Sequence, residues 1–324
     1  MEKNQIKKTL FEFEKPLIPV FSKIEEAHRL ALSGKIDLSE EIKMLEKRIE
    51  SMRREIFAKL APIQVVKVAR HIGRPTTLDY VKEIFEDFVE LHGDRNFGDD
   101  PAMVGGMAKL NGKPIMLIGH QKGHTTKELI ERNFGMANPE GYRKALRLMK
   151  MAERWKKPIV TFVDTPGAYC GLGAEERGQG EAIARNLREM AGLTVPFITI
   201  ITSEGGSGGA LGIGMGNRVL MLQYAIYSVI SPEGCASILF RDATRSPEAA
   251  AASKLTSKDL LELQVIDEII KEPIGGAHNN YQETANNIKA ALSKQLEDLR
   301  KLSSRELIAD RYRKYRKMGV FIEG

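Results

Sequence analysis

Three apolar segments, each opened by a proline, constrain the fold of this chain more than any other feature. They are Pro114-Ile-Met-Leu-Ile-Gly119, Pro158-Ile-Val-Thr-Phe-Val163 and Pro196-Phe-Ile-Thr-Ile-Ile-Thr202. Proline is tolerated at the first residue of a strand, and continuous apolar runs are typical of strands buried on both faces. The segments begin about 40 residues apart, which leaves room for a crossover helix and favours parallel pairing. The sequence therefore predicts an α/β core of repeated β-loop-α units over residues 77–275.

Helical patterns flank this core on both sides. Residues 1–76 are predicted to form an N-terminal helical extension, with one helix over 17–32 and a second whose apolar residues recur every three or four positions. These two helices are expected to form a hairpin, folded onto the body of the chain or reserved for a subunit contact. Residues 76–91 also read as a helix, and 276–324 as a C-terminal helical extension that ends in a basic tail. The apolar seam of the second helix consists of Leu38, Ile42, Leu45, Ile49, Met52 and Ile56.

Composition excludes several classes of protein. No run of about 18 apolar residues is present, so no spanning helix is predicted, and the lysine-rich start lacks the apolar stretch of a secretory signal. The two cysteines, Cys170 and Cys235, are too few for a disulfide framework or a four-thiolate zinc site. We expect a cytoplasmic protein. Most of the net charge of +6 comes from residues 301–324, so nucleic acid is not an expected partner.

Glycines cluster after two of the predicted strands. Twenty of the 29 glycines lie between Gly105 and Gly216. They are densest in 164–173, after the second strand, and in 204–214, after the third. Ligands of parallel α/β sheets sit at the carboxyl ends of the strands, where glycine lets backbone N–H groups approach a ligand. Such groups at a helix start stabilise a phosphate or a developing oxyanion.

Other chemistries leave weaker signals. No phosphate-binding GxxxxGK[ST] motif is present, and the glycines at 212–216 have the wrong spacing for GxGxxG. Residues 205–209 satisfy GxSxG, with Asp267 and His278 following in the order of an α/β hydrolase, so a serine hydrolase using Ser207 is the alternative function. His120 and His124 lie four apart in a polar loop without a carboxylate or cysteine, so no metal site is predicted.

Longer strings of residues resemble the carboxyltransferase alpha subunits of bacterial acetyl-CoA carboxylase. The resemblance covers nearly the whole chain in the expected order, and departs from the family pattern at Ser203, where glycine is frequent, and at Cys170, where proline is. The matching strings are Phe13-Glu-Lys-Pro16, Gly119-His-Gln-Lys-Gly123, Asn133-Phe-Gly-Met-Ala-Asn-Pro-Glu140, Asp164-Thr-Pro-Gly-Ala-Tyr169, Gly173-Ala-Glu-Glu-Arg-Gly-Gln-Gly-Glu-Ala182, Glu204-Gly-Gly-Ser-Gly-Gly-Ala210, Ser228-Val-Ile-Ser-Pro-Glu-Gly-Cys-Ala236 and Pro273-Ile-Gly-Gly-Ala-His278.

The resemblance implies a crotonase-like core of repeated ββα units and an alpha2beta2 heterotetramer with a carboxyltransferase beta subunit. It implies that the beta subunit holds the zinc and most of the acetyl-CoA site, and that this chain binds no metal. The cofactor would be biotin, carried as carboxybiotin on the biotin carboxyl carrier protein and charged by biotin carboxylase. The reaction would transfer its carboxyl group to acetyl-CoA and give malonyl-CoA for fatty acid synthesis.

The resemblance also implies site residues. The thioester oxygen and the biotin ureido oxygen both carry negative charge during the reaction, and this chain would serve the biotin side. The backbone N–H groups of Gly208 and Gly209 are the expected donors, with Gly205 and Gly206 shaping the turn. A β-carbon at either donor position is expected to slow turnover ~100-fold or more. The remaining substrate-binding candidates are Gly167, Ala168, Tyr169, Lys122 and His124.

Overall fold

The three proline-led segments form neighbouring strands of an eight-stranded sheet in the computed structural model, which describes residues 10–34 and 37–319. The outermost parts of both predicted extensions, 1–9 and 320–324, therefore lie outside the described residues. Two of the three prolines precede their strand, and Pro114 is the second residue of its own. The strands are β1 (Glu86–Glu90), β2 (Met103–Leu110), β3 (Lys113–His120), β4 (Ile159–Thr165), β5 (Phe197–Gly206), β6 (Arg218–Leu222), β7 (Ile226–Ser228) and β8 (Glu268–Ile270).

The sheet has the order β1-β2-β3-β4-β5-β6-β8, and β7 pairs with the end of β5. The first three strands form an antiparallel meander, whereas β3, β4, β5, β6 and β8 pair in parallel. Every residue of β4 and β5 is buried, as expected for strands covered on both faces. The predicted parallel α/β core is confirmed, and the carboxyl ends of β3, β4 and β5 meet at one edge of the sheet.

Helices cover the sheet and extend from it. In the helix over Pro139–Arg154, for example, five wholly buried residues form one stripe at helical spacing: Tyr142, Ala145, Leu148, Met149 and Ala152. The helices are α1 (Ile18–Leu32), α2 (Ser39–Ala58), α3 (Pro62–Ala69), α4 (Thr77–Ile84), α5 (Thr126–Glu131), α6 (Pro139–Arg154), α7 (Leu172–Glu176), α8 (Gln179–Ala191), α9 (Ser207–Leu211), α10 (Pro232–Phe240), α11 (Ser246–Ala252), α12 (Ser257–Glu262), α13 (Tyr281–Leu299) and α14 (Ser304–Arg316).

The single helix predicted over 76–91 is wrong in its second half. Thr76 caps α4 as predicted, but Phe85 is extended and Asp87 has a φ of 51°. The chain then forms β1, an edge strand that pairs with β2. The pairing partner lies about 20 residues further along the chain, so local periodicity does not reveal it.

The predicted N-terminal hairpin forms from α1 and α2, which pack against each other. Ile42 and Ile49 are the buried members of the predicted seam. The hairpin meets the body at Phe57, whose ring packs edge-on against Tyr224. At the other end of the chain, α13 contributes Ile288, Leu292 and other buried residues to the main core. None of the described helices is long and apolar enough to cross a membrane.

Candidate active site

The glycine-rich turn after β5 lies directly against the loop after β4. A Cβ atom at Gly206 would lie 2.0 Å from the carbonyl oxygen of Pro166, and a Cβ atom at Gly209 would lie 2.5 Å from the carbonyl carbon of Gly167. Neither distance allows a side chain, so both positions require glycine. The two loops that the sequence singles out are therefore in backbone contact with each other.

This turn leads into α9, whose first residues are the predicted donors. Gly206 is extended, and Ser207 turns the chain with a φ of 44°, a value that is uncommon for a residue with a side chain. The first N–H groups of a helix have no partner within it, so those of Gly208 and Gly209 are not used by hydrogen bonds inside α9. Gly208 is half-buried, and a Cβ atom there would lie 3.6 Å from Ile183, an ordinary contact.

Gly205 and Gly167 occupy different surroundings within the same site. A Cβ atom at Gly205 would lie 2.8 Å from the ring of Tyr227, so glycine lets this aromatic ring pack on the strand end. Burial of that ring raises the pKa of Tyr227 to about 12. A Cβ atom at Gly167 would meet no atom within 4 Å. The loop at Gly167 and Ala168, both half-buried, therefore faces open space beside the turn.

Lys122 belongs to a group of three residues that connects the ends of β3, β4 and β5. Its Nζ atom lies 2.7 Å from Oδ1 of Asp164, and the same Asp164 oxygen accepts a hydrogen bond from the backbone N–H of Glu204 at 3.3 Å. Lys122 follows β3, and Asp164 and Glu204 lie near the ends of β4 and β5. They line a cavity of about 250 Å³ at this edge of the sheet, so Lys122 brings a positive charge to the place where the fold is expected to bind a ligand.

His124 is not among the residues that line this cavity. Its Nε2 atom lies 2.7 Å from Oδ2 of Asp79 in α4, and its Nδ1 atom lies 3.2 Å from the carbonyl oxygen of Ile72. Partial burial lowers the pKa of His124, but the hydrogen bond and charge of Asp79 outweigh it, so the pKa is raised. The ion pair fastens the loop to α4.

Tyr169 lies at the rim of the site. Its backbone N–H donates to Ala137 and its carbonyl oxygen accepts from the side chain of Gln179, at 3.1 Å and 2.7 Å. The ring packs over Gly171, where a Cβ atom would lie 2.5 Å from it. About a third of the residue, 36%, is exposed. The loop after β4 is thus anchored by its backbone while the aromatic ring remains accessible.

Two buried side chains, Tyr142 and His120, lie beside Gly209 of α9. The hydroxyl of Tyr142 donates to the carbonyl oxygen of Gly209 at 3.4 Å. His120, at the end of β3, is wholly buried beside Tyr142. Burial lowers the pKa of His120 to about 3, an effect that Asp164 only partly opposes. The imidazole is therefore neutral at neutral pH.

The geometry does not assemble a serine hydrolase triad. Asp267 accepts a hydrogen bond from the Val219 N–H at 2.6 Å and pairs with Lys314. His278 stacks on His71, with ring centroids 4.0 Å apart. Among the described residues, Ser207 makes no hydrogen bond to Asp267 or His278. Within the described part of the chain, the GxSxG serine therefore has no base beside it that could take its proton.

The N-terminal segment before α4 also reaches the site, which the sequence interpretation missed. Arg70 and Arg74 line the cavity beside Lys122, although they precede the predicted core. Their carboxylate partners, Glu204 and Glu272, lie more than 130 residues further along the sequence. No local sequence pattern therefore predicts these contacts. No group of three or more His, Cys, Asp or Glu residues within 10–34 and 37–319 is arranged to hold a metal ion.

Known sequences resemble this chain over nearly its whole length. The family described as acetyl co-enzyme A carboxylase carboxyltransferase-like matches residues 10–319. A Geobacter metallireducens protein named acetyl-coenzyme A carboxylase carboxyl transferase subunit alpha is 62% identical over 312 residues, which cover 96% of this chain and 98% of that protein. A Prochlorococcus marinus (strain MIT 9312) protein of the same name is 54% identical over 317 residues, 98% of this chain and 95% of that protein.

Solved structures share the fold at low sequence identity. Transcarboxylase 12S, with methylmalonyl-coenzyme A and methylmalonic acid bound, superposes with a TM-score of 0.58 at 19% identity, over 70% of this chain and 42% of that one. A Pseudomonas malonate decarboxylase hetero-tetramer in complex with coenzyme A gives a TM-score of 0.55 at 16% identity, over 67% of this chain and 86% of that one. These similarities concern the fold.

Proposed function

The chain belongs to the family of acetyl-CoA carboxylase carboxyltransferase alpha subunits, and from this premise we propose how its residues take part in the reaction. It is a carboxyltransferase subunit with a crotonase-like fold. Carboxybiotin, delivered by the biotin carboxyl carrier protein, supplies the carboxyl group that is transferred to acetyl-CoA. The open space beside Gly167 and the half-exposed Gly208 fit a small planar group placed against backbone donors.

The Gly205–Gly209 turn is the oxyanion site of this chain. The N–H groups of Gly208 and Gly209 donate to an oxygen that gains negative charge in the transition state, and the α9 dipole points the same way. Gly205 and Gly206 give the strand end its shape. The single observation that carries this assignment is the backbone contact between Gly209 and Gly167, because it fixes the donors relative to the neighbouring loop without any side chain.

Lys122, Gly167, Ala168 and Tyr169 form the wall of the site. Lys122 holds a positive charge beside the cavity while Asp164 keeps it in place, and the Tyr169 ring covers the rim. For His124, the contact with Asp79 favours a supporting role over contact with substrate.

The chain acts within a multi-subunit complex on acyl-CoA substrates. A carboxyltransferase beta subunit, in an alpha2beta2 heterotetramer, covers the edge of the sheet that carries the turn. Large apolar side chains are exposed on the segments after β4 and β7 that border this edge: Leu172 is 77% exposed, Val229 78%, Ile238 71% and Leu239 64%. Exposed apolar side chains that come together in one patch mark subunit contacts, and these four are the candidates for such a contact. The beta subunit would supply the zinc and most of the acyl-CoA site, and biotin carboxylase would recharge the carrier.

Reconstitution tests the function. The chain is produced with a beta-type subunit, and malonyl-CoA decarboxylation is measured in the presence of free biotin, the reverse half of the proposed reaction. Biotin-dependent decarboxylation that requires both subunits supports the proposal; no activity from a purified, assembled pair contradicts it. A fluorophosphonate probe checks the alternative, since labelling of Ser207 would require an activated serine that the geometry does not provide.

A further inference from the structure

Three successive residues near the end of β5 are held by the last residue of α3 and the segment that follows it. The carbonyl oxygen of Thr202 accepts a hydrogen bond from Nη2 of Arg74 at 2.7 Å. The hydroxyl of Ser203 donates to the carbonyl oxygen of Ala69. The carboxylate of Glu204 accepts from Nε and Nη2 of Arg70 at 3.0 Å and 2.6 Å. The next residue in the chain is Gly205, the first residue of the turn that leads to the proposed donors Gly208 and Gly209.

Arg70 also reaches a second element. Its Nη1 atom donates to Oε1 of Glu233 at 3.0 Å, and Glu233 is the second residue of α10. That helix follows β7, which pairs with the end of β5 and places Ile226 beside Glu204. One guanidinium therefore joins the strand that carries the turn to the helix that follows β7. A planar fork of donors suits such a bridge, whereas an ammonium group offers a single charged point.

Glu204 is fixed from its other side as well. Its backbone N–H donates to Asp164, the carboxylate that pairs with Lys122. The Glu204 side chain is only 8% exposed, whereas that of Arg70 is 31% exposed. A carboxylate that is so little exposed requires a charge partner, and Arg70 supplies it. Loss of the guanidinium would leave Glu204 uncompensated and drive it to rearrange together with the adjacent turn.

We propose that Arg70 is a positioning residue of the carboxyltransferase: by bridging Glu204 and Glu233 it holds the Gly205–Gly209 turn in its productive orientation. The inference rests on the proposed oxyanion role of that turn. Because Arg70 would act through Glu204 and Glu233, we expect its effect to fall on the rate of the chemical step more than on binding of the acyl-CoA. A displacement of the donors by ~1 Å costs ~100-fold in rate.

The test compares Arg70→Ala, Arg70→Lys and a control, Arg53→Ala, in the assembled complex with a beta-type subunit. Arg53 is also a partly buried arginine of the N-terminal region and pairs with buried Glu14 at 2.9 Å, but it lies outside the cavity lining. We expect Arg70→Ala to lower kcat of biotin-dependent malonyl-CoA decarboxylation ~10- to 100-fold, with KM for malonyl-CoA nearly unchanged. Arg70→Lys should fall between the parent and the alanine variant.

Recovery of kcat on addition of guanidinium ion distinguishes a positioning role from general destabilisation, because a merely destabilised variant would not regain activity. The ion should restore part of the kcat of Arg70→Ala and leave Arg53→Ala unaffected. An unchanged kcat in Arg70→Ala, a rise in KM with kcat retained, or equal losses in both alanine variants would overturn the positioning role. Gly209→Val, measured in parallel, separates the two proposals. If it is inactive while Arg70→Ala is fully active, the inference alone fails; if it is fully active, the oxyanion assignment fails and the inference with it.

Discussion

Alanine substitutions at Gly209 and Gly208 should have very different effects, although the two residues are adjacent in a glycine-rich turn. At Gly209 the new Cβ would lie 2.5 Å from the carbonyl carbon of Gly167 and 2.6 Å from the backbone nitrogen of Ala168. Carbon atoms in favourable contact are ~3.5–4.0 Å apart, so the turn or the loop must move by about 1 Å. At Gly208 the new Cβ would lie 3.6 Å from Ile183 and nothing needs to move.

The rate effect follows from this displacement. Misplacing reacting or stabilising groups by about 1 Å costs ~100-fold, and losing one oxyanion donor outright costs ~2.7–4 kcal/mol. We therefore expect Gly209→Ala to lower kcat by ~100-fold or more, whereas Gly208→Ala keeps a rate close to that of the parent because its N–H remains. The sequence alone assigns the same sensitivity to both positions, and the structure separates them.

The assay is biotin-dependent malonyl-CoA decarboxylation by the complex with a beta-type subunit, with thermal unfolding as the check on folding. Gly180→Ala serves as the matched control, because a Cβ at this position meets no atom within 4 Å. Equal activities of the Gly208 and Gly209 variants would refute the reasoning, as would full activity of Gly209→Ala in a correctly folded complex.

Three other outcomes follow from the described contacts. Burial lowers the pKa of His120 to about 3, so below pH ~6.5 the unfolded chain takes up a proton at this residue while the folded chain does not. The free energy of unfolding therefore falls as the pH is lowered. His120→Leu removes this contribution, so between pH 7 and pH 5 its free energy of unfolding should fall by ~2 kcal/mol less than that of the parent. Arg74→Met leaves buried Glu272 unpaired and should cost ~3–5 kcal/mol in urea unfolding, whereas the exposed Arg54→Met should cost less than ~1 kcal/mol. Ile238→Glu should weaken co-purification with the beta-type subunit and leave the melting temperature of the chain unchanged, because the side chain is 71% exposed.

The parallel core was predictable from the sequence because its signals are local. A buried strand needs a continuous apolar run, and Pro158 and Pro196 mark the positions where β4 and β5 begin. The glycine clusters follow β4 and β5, and parallel strands bring their carboxyl ends to the same edge of the sheet, where ligands bind. The two clusters therefore lie side by side, and Gly206 approaches Pro166 closely.

The errors and omissions arise from contacts between distant parts of the chain. Residues 86–90 continue a plausible helical pattern, but an edge position beside β2 makes them a strand. Lys122 was identified as a loop residue of the site, while its ion pair with Asp164 required the parallel register of β3 and β4. Arg70 was not identified at all, since nothing near it in the sequence indicates that its partner is Glu204.

The central claim is that backbone N–H groups of this turn stabilise the oxyanion, and replacing one N–H by an ester oxygen tests it most directly. Glycolic acid introduced at position 209 deletes the donor and adds no side chain, and the deleted N–H has no partner within α9. It also weakens the Gly208 carbonyl as acceptor for the Gly212 N–H, so the same replacement at position 212, which deletes that hydrogen bond, is the control. We predict that kcat of decarboxylation by the assembled complex falls ~100-fold with KM for malonyl-CoA unchanged. A kcat equal to that of the parent would contradict the claim.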